Sequence, residues 1–280
     1  VDQALTSVFV RAFKLISGYT PGKARAFLET YLSRIDLDGL KTVIRAVHNK
    51  MRKEEALRFV ISTSEKTRNE FAKLVEVQSV AQLVEEVRDR ALKEALTKAF
   101  PLSESTSSTV PLESSLDKTL YKMLWDLMKK LNRIDRAHAQ ELIGCRIDLA
   151  NMLVALRCKE LGLGSSAFEL LIVPAYYKLR INLDEVAKAR NVSELLSMFA
   201  STAYKEIVQQ ARESFEKESD ITQLESIADR YIAHQSFKEF MGYSFHIGVA
   251  LAYLNLKFYE LRNIKAVIVG KYENIPIQKI

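Results

Sequence analysis

Three near-copies of one segment limit how this chain can fold more than any other feature of the sequence. The copies read RIDLDGLKTVIRA at Arg34–Ala46, RIDLANMLVALRC at Arg146–Cys158 and KFYELRNIKAVIVG at Lys257–Gly270. Each copy carries an acid at the matching position, and the position numbers of Asp36, Asp148 and Glu260 differ by 112 at both steps. Two equal steps, which we call the repeat interval, predict an internal repeat of one structural unit.

The repeat interval also relates sequence outside those copies. The stretch FAKLVEVQSVAQLVEE begins at Phe71, and LDEVAKARNVSELLSM begins one repeat interval later at Leu183. When the two stretches are aligned, Ser79 matches Asn191, and each is expected to cap the following helix. We expect repeat one at residues 1–110, repeat two at 111–222 and a partial repeat three at 223–280. Because 280 residues make only two and a half repeats, we expect about half a unit to be missing at the N-terminus.

Composition and periodicity predict an all-α fold. Gly (9) and Pro (5) are scarce, and strong helix formers dominate the sequence. In the first copy, apolar residues recur at helical spacing and predict a buried packing face: Leu37, Leu40, Ile44 and Val47. Their equivalents are Leu149, Met152 and Leu156, then Leu261, Ile264 and Ile268. We expect three similar helical units with pseudo-threefold symmetry, arranged as a funnel or ring whose third unit is incomplete. The Ser/Thr-rich stretch Pro101–Ser115 is expected to separate repeats one and two.

Charge and hydropathy narrow the classes of partner. The net charge is +6, but 41 basic and 35 acidic residues are interspersed without a Lys/Arg cluster, which disfavours nucleic acid. A basic face toward an acidic protein or a lipid surface is favoured instead. The longest apolar run, near His246–Leu254, is shorter than the roughly 20 residues of a membrane span. Cys145 and Cys158 are expected to be free thiols in the core.

No motif predicts catalysis, a cofactor, a metal or a small-molecule substrate. The segment GLGSSA at Gly162–Ala167 has dinucleotide-loop spacing but follows a helix, so a helix stop and a capping box from Ser166 to Glu169 explain it better. VGKY at Val269–Tyr272 lacks the rest of a phosphate loop. The four histidines show no metal-ligand spacing.

The acids and nearby bases are the candidates for binding. Asp36 and Arg45, like Asp148 and Arg157, are nine positions apart and so lie on opposite sides of a helix. Each acid could be an N-cap or pair with a base of a neighbouring repeat. Alternatively, the set faces a central axis and contacts a partner, and its candidate members are Asp36, Arg45, Asp148, Arg157, Glu260 and Lys265.

With these motifs, the chain resembles the family of central-stalk connecting subunits of archaeal-type and vacuolar-type rotary ATPases, known by the letters C and d respectively. The likeness lies in DLDGLKTVIRA, DLANMLVALRCKELGLG and the closing AYLNLKFYELRNIKAVIVGKYENIP, and it runs over essentially the whole chain. The first copy departs from the pattern, with Gly39 where Asn151 and Asn263 stand.

The resemblance implies a funnel of three helical domains without nucleotide or metal. It also implies that the central-stalk subunits and the membrane proteolipid ring are partners, and that torque passes between them. The expected location is peripheral, on the cytoplasmic side of a membrane. Two other classes stay open on the residues alone, a free-standing helical scaffold and an all-α enzyme with an unrecognised site.

Overall fold

A computed structural model describes residues 2–218, 222–272 and 274 of the 280-residue chain. The regular structure of these residues is entirely helical, without a strand, which confirms the all-α prediction. The helices in order are α1 (Asp2–Tyr19), α2 (Gly22–His48), α3 (Lys53–Phe59), α4 (Glu65–Leu74), α5 (Val80–Glu86), α6 (Arg90–Thr106), α7 (Val110–Met128), α8 (Arg133–Ala139), a π-helical turn (Gln140–Gly144), α9 (Cys145–Glu160), α10 (Ser165–Leu171), α11 (Leu183–Lys188), α12 (Val192–Phe199), α13 (Lys205–Glu218), α14 (Thr222–Phe240) and α15 (Ile247–Tyr272).

The helix bounds recur at the repeat interval found in the sequence. Both bounds of α3 reappear in α10 after one repeat interval, and both bounds of α7 reappear in α14 in the same way. The helices that carry the three acids end at His48, Glu160 and Tyr272, which are again one repeat interval apart. Secondary structure therefore follows the period of the sequence. The repeat boundaries and the pseudo-threefold funnel stay predictions.

The chain forms two compact units. The split unit combines residues 1–83 with 236–280, and within it α1 packs along α15 while α2 packs on α3 and α4. The central unit contains residues 84–235, and within it α6 packs along α7 while α9 packs on α10 and α12. Each unit buries large apolar side chains, which include Phe27, Leu28 and Ile44 in the split unit and Leu96, Leu124 and Phe168 in the central unit.

The stretch Pro101–Ser115, predicted to separate repeats one and two, is mostly helical. Helix α6 continues through Pro101 to Thr106, and α7 begins at Val110, so the break is confined to three residues. Ser107 ends α6 in the left-handed conformation, with φ of 49°. The hydroxyl of Ser103 donates to the carbonyl oxygen of Ser108 at 2.6 Å, which closes the turn tightly.

The capping predictions are partly confirmed. Ser79 Oγ accepts from the backbone N of Gln82 at 3.2 Å, and Asn191 Oδ1 accepts from the backbone N of Glu194 at 2.9 Å. The capping box from Ser166 is wrong, because α10 begins one residue earlier without a side-chain cap. The helix stop is correct, since Gly162 has φ of +67°.

The prediction for the two cysteines agrees with the structure. Cys145 and Cys158 are buried and free, as expected. Among the helices of the described residues, none is both long and apolar enough to cross a membrane.

Candidate docking surfaces on the acid-bearing helices

The three acids lie inside helices, so the N-cap explanation is wrong. Helix α2 begins at Gly22, well before Asp36, and α15 begins at Ile247, well before Glu260. Asp148 follows the π-helical turn, and Gly144 before α9 already has right-handed helical backbone angles. A side chain at such positions does not meet the unpaired N–H groups of a helix start, so it must find its donors elsewhere.

Asp36 binds the segment that follows α3. Its Oδ1 accepts from the backbone N of Thr63 at 2.6 Å, and its Oδ2 accepts from the hydroxyl of Thr63 at 2.6 Å. Burial raises the pKa of Asp36, and the two hydrogen bonds from Thr63 oppose that rise. Asp36 therefore ties residues 60–64, which we call the first return segment, to α2.

Asp148 does the same for the segment that follows α10, and it is fully buried. Its Oδ1 accepts from the backbone N of Tyr177 at 2.9 Å. Its Oδ2 accepts from the backbone N of Lys178 at 2.7 Å, the backbone N of Leu179 at 2.9 Å and the hydroxyl of Tyr204 at 2.7 Å. Four donors therefore converge on one carboxylate. Residues 172–182, the second return segment, are thus tied to α9.

Position 39 and its equivalents 151 and 263 differ between the copies, and the sequence alone assigned them no role. Asn151 Oδ1 accepts from the backbone N of Val173 at 2.8 Å, and its Nδ2 donates to the carbonyl oxygen of Val173 at 3.0 Å. In the first copy, a Cβ on Gly39 would lie 2.1 Å from the carbonyl oxygen of Ile61. Ile61 and Val173 are one repeat interval apart, so both return segments cross their helix at the same position.

The third copy differs because its acid lies at the surface. Glu260 is exposed and forms an ion pair with Lys257, with 2.8 Å between Oε2 and Nζ. Asn263, the equivalent of Asn151, is exposed as well. Beyond Tyr272 the structure describes only residue 274, so no described return segment follows α15.

The apolar face beside each acid shows the same contrast. The residues four, seven and eight positions after the acid are at most 3 % exposed in the first two copies, where they are Leu40, Val43 and Ile44, then Met152, Ala155 and Leu156. In the third copy they are Ile264 (39 %), Val267 (47 %) and Ile268 (40 %). The predicted packing face is confirmed in α2 and α9. It is wrong for Ile264 and Ile268, because nothing in the described chain packs on that side of α15.

The basic candidates have different environments. Arg45 is exposed in the last turn of α2. Arg157 is half-buried and forms an ion pair with Glu225 of α14, so it has a partner within its own unit. Val269, which replaces these arginines in the third copy, is exposed. Of these positions, 45 is the one that offers an exposed cation.

Lys265 lies at a groove in the split unit, between α1, α2 and α15. The groove has a volume of about 200 Å³ and a mainly apolar lining formed by Leu5, Phe9, Ile35, Ile61, Phe258 and Leu261. Thr6, Arg262 and Lys265 supply its polar lining. The structure thus brings Lys265 to the groove, whereas Asp36 contacts Thr63 and Glu260 contacts Lys257.

Charge is divided unequally between the two units. The split unit contains 20 Lys and Arg against 12 Asp and Glu, a net charge of +8. The central unit contains 21 basic and 23 acidic residues, a net charge of −2. The positive charge of the whole chain therefore belongs to the split unit, where an acidic partner would be attracted.

Comparison with known proteins relates the whole chain to one family. Residues 1–280 match the family described as ATP synthase (C/AC39) subunit. The C subunit of the A-type ATP synthase of Methanocaldococcus jannaschii is 25% identical over 100% of this chain and 70% of its own length. The same protein of Methanosphaera stadtmanae is 25% identical over 100% of this chain and 73% of its own length. That of Pyrococcus furiosus is 25% identical over 96% and 70% respectively.

Proposed function

This chain belongs to the ATP synthase (C/AC39) subunit family, and we propose that it is the non-catalytic connecting subunit of a rotary ATP synthase or ATPase. In this role it links the rotating central stalk to the membrane proteolipid ring, lies peripherally on the cytoplasmic side, and transmits torque between ATP chemistry and proton or sodium transport. The observation that carries the proposal is the family match over all 280 residues, together with relatives named as the C subunit of the A-type ATP synthase.

The fold suits a part that transmits force. Helices packed at interior density resist deformation, because every displacement costs many contacts at once. The hydrogen bonds of the half-buried Asp36 and the buried Asp148 extend that resistance to the return segments. A load applied to a return segment therefore reaches the helix beneath it.

Electrostatics favour the split unit as the site for an acidic stalk partner. Its net charge of +8 would speed association at low salt and would be screened as ionic strength rises. Arg45 is an exposed cation in this unit. Arg157 is the weaker candidate, because it is half-buried, whereas Arg45 is exposed.

The test is reconstitution of the purified chain with the central-stalk subunits and the detergent-solubilised proteolipid ring of its own complex. We expect it to bind both, and we expect Arg45→Glu to weaken stalk binding about fivefold, as one partly exposed ion pair allows. Arg58→Glu is the matched control, since Arg58 is another exposed arginine of the split unit and its replacement changes net charge equally.

Arg157 needs a paired design because its ion pair is internal. Arg157→Glu places two carboxylates together, and adding Glu225→Arg restores an ion pair of reversed polarity. If the double variant folds normally and still binds the stalk, Arg157 has a structural role. Failure of the wild-type chain to bind either stalk or ring at low salt would contradict the connecting role and favour a free-standing helical scaffold.

A further inference from the structure

We propose that one end of the split unit contacts the headgroup layer of an anionic lipid bilayer. This lipid-facing end consists of a first turn region, residues 14–25 between α1 and α2, and a second turn region, residues 237–245 between α14 and α15. The proposal goes beyond the connecting role proposed above, because it concerns lipid itself and would hold for a free-standing chain as well.

Both turn regions lie at the same end of the helix pair α1 and α15. The rings of Phe9 and Phe258 pack with their centroids 6.2 Å apart, and farther along the pair Leu5 lines a groove with Lys265. Residue numbers fall along α1 as they rise along α15, so the two helices are antiparallel. The end of α1 and the start of α15 therefore each lie about 15 Å from the Phe9–Phe258 contact, in the same direction.

The two turn regions expose large apolar side chains. In the first turn region Tyr19 is 85 % exposed and Leu15 is exposed as well. In the second, Phe245 is 83 % exposed, and Met241 and Tyr243 are also exposed. A cluster of this kind marks an interaction surface. Tyrosine in particular favours the boundary between an apolar and a polar medium, because its ring is apolar and its hydroxyl is polar.

The exposure of this end does not depend on where the chain begins or stops. Helix α1 begins and α15 ends at the far end of the pair, roughly 25 Å or more from the turn regions. The equivalent turn of the central unit joins α7 to α8, and helices are described on both sides of it. That turn also exposes cations and an apolar side chain, namely Lys129, Lys130, Arg133 and Ile134. A turn with its neighbouring helices in place is therefore exposed as well.

The sequence around the first turn region is basic and free of acids. Residues 3–28 contain no Asp or Glu, and their cations are Arg11, Lys14, Lys23 and Arg25. The side chains at 14 and 23 are exposed. After the second turn region begins, the sequence from 240 to 256 has no Asp, Glu, Lys or Arg. Cations beside exposed aromatic rings match an anionic headgroup layer, where each Lys or Arg strengthens binding about fivefold.

The end of α1 has side-chain donors for its backbone carbonyl groups. The last carbonyl oxygens of a helix have no partner within the helix and commonly bond to water. Here Arg25 Nε donates to the carbonyl oxygens of Ser17 and Thr20, both at 2.9 Å. Its Nη2 donates to the carbonyl oxygen of Gly18 at 3.0 Å, and the hydroxyl of Thr20 donates to that of Ile16 at 2.8 Å. Backbone groups that do not rely on water suit the water-poor boundary of a bilayer.

A lipid surface fits these features better than an acidic protein does. An acidic protein would pair with the cations and leave the aromatic rings in water. A headgroup layer supplies phosphates for the cations and acyl chains for the rings, and it needs no matching shape. The cation at Arg45 lies about 33 Å from Lys23, at the other end of α2. The split unit can therefore offer one end to a stalk partner and the opposite end to lipid.

The experiment measures sedimentation of the full chain with lipid vesicles. The probes are vesicles of phosphatidylcholine alone and vesicles that also contain about 30% phosphatidylglycerol, both at about 50 mM salt. For the anionic vesicles we expect a partition coefficient on the order of 10⁴ M⁻¹, similar to that of a single myristoyl chain. Binding to the neutral vesicles should be much weaker, and added salt should weaken binding to the anionic ones.

Two matched pairs of variants locate the contact. Tyr19→Asp should weaken binding about tenfold or more, whereas Tyr272→Asp, at a residue 82 % exposed at the far end of α15, should change it less than about twofold. Lys23→Glu should weaken binding about tenfold, and Lys271→Glu less than about twofold. A nitrobenzoxadiazole label on Ser244→Cys should shift its emission to shorter wavelength on anionic vesicles, and the same label on Tyr272→Cys should not.

Four outcomes would overturn the proposal. The first is sedimentation of less than about a tenth of the chain with about 1 mM anionic lipid. The second is an equal effect of both members of either matched pair, in variants of unchanged helicity. The third is binding only to vesicles that carry the proteolipid ring, which would assign this end to a protein. The fourth is unchanged emission of the label at position 244.

The two proposals can fail separately. The vesicles contain lipid alone, so absence of binding to them would leave the connecting role intact. Failure of the reconstitution with stalk and ring would in turn leave the lipid contact intact.

Discussion

Replacing each acid by its amide tests the different ways in which the half-buried Asp36 and the fully buried Asp148 hold their return segments. Asp148 accepts hydrogen bonds from four donors, three of them backbone N–H groups that cannot change their character. Asp36 accepts from one backbone N–H and from one hydroxyl that can rotate to become an acceptor. We therefore expect Asp148→Asn to be strongly destabilising and Asp36→Asn to be tolerated.

The expected loss of stability follows from the hydrogen bonds that the substitution removes or weakens. In Asp148→Asn one oxygen can remain over Lys178, Leu179 and Tyr204, but the new amide N–H₂ then faces the N–H of Tyr177, so one bond is lost. The three retained bonds change from a charged to a neutral acceptor, a loss of about 1 kcal/mol each. Part of this is offset because a neutral group is easier to bury. Asp148→Asn should therefore lower the free energy of unfolding by about 3–5 kcal/mol, and Asp36→Asn should lower it by less than about 1 kcal/mol.

The assay is urea unfolding of the full chain followed by two signals. Trp125, the only tryptophan in the sequence, belongs to the central unit and reports on the unit that contains Asp148. Circular dichroism reports on helices throughout the chain. With an m-value of about 2–3 kcal/mol per molar urea, Asp148→Asn should lower the midpoint of the tryptophan transition by about 1–2 M.

The pH dependence gives a further check on Asp36. Burial raises its pKa above the ordinary value of 3.8, so the native state binds a proton more tightly than the unfolded state. Stability contributed by this group is then greatest below its unfolded pKa and falls as pH rises through the folded pKa. Asp36→Asn removes that fall, so the stability of the variant relative to wild type should be higher at about pH 7 than at about pH 3.

A change in the urea midpoint below about 0.3 M for Asp148→Asn, or equal losses of stability in both variants, would refute the reasoning.

Two other predictions concern packing in the core. Gly39→Ala should lower the free energy of unfolding by several kcal/mol, because the new Cβ would meet the carbonyl oxygen of Ile61. Gly18→Ala, with open space around it in α1, should raise the free energy of unfolding by about 0.5–1 kcal/mol. Thermal unfolding measures both variants, and similar Tm values would contradict the prediction. Burial raises the pKa of Cys158 to about 12 and also raises that of Cys145, so neither thiol should react with iodoacetamide at neutral pH until urea unfolds the chain.

The sequence predicted the regular parts of the fold because those parts obey local rules. The scarcity of Gly and Pro predicted the all-α class, and the repeat interval reappears in the helix bounds. Ser79 and Asn191 cap their helices as predicted, since the N-cap is determined by the few positions that follow it. Composition alone could not show that Pro101–Ser115 is mostly helical and that its break has only three residues.

The site was harder to predict because its contacts are distant in sequence. The acids were correctly found as matching positions, but 27 residues separate Asp36 from Thr63 and 56 separate Asp148 from Tyr204, so no local pattern shows these pairs. Asn151 and Asn263 were visible as matching positions of the copies, yet their role depends on a backbone that crosses the helix. The exposure of Ile264 could not be read from an apolar stripe, because the stripe has the same spacing whether it is covered or not.

The residue at position 39, 151 or 263 restricts how parts of the repeats could be exchanged in an engineered chain. At Gly39 the return segment touches the helix directly, whereas at Asn151 a side chain holds the segment away and bonds its peptide groups. A graft of residues 172–182 onto α2 would leave the peptide groups of Val173 without their amide partner unless Gly39→Asn accompanied it. The converse graft of residues 60–64 onto α9 would place a carbonyl oxygen where the amide of Asn151 stands. Helix and return segment are therefore one exchangeable part, and the shortest segment that could be moved between repeats runs from the acid to the end of the return segment.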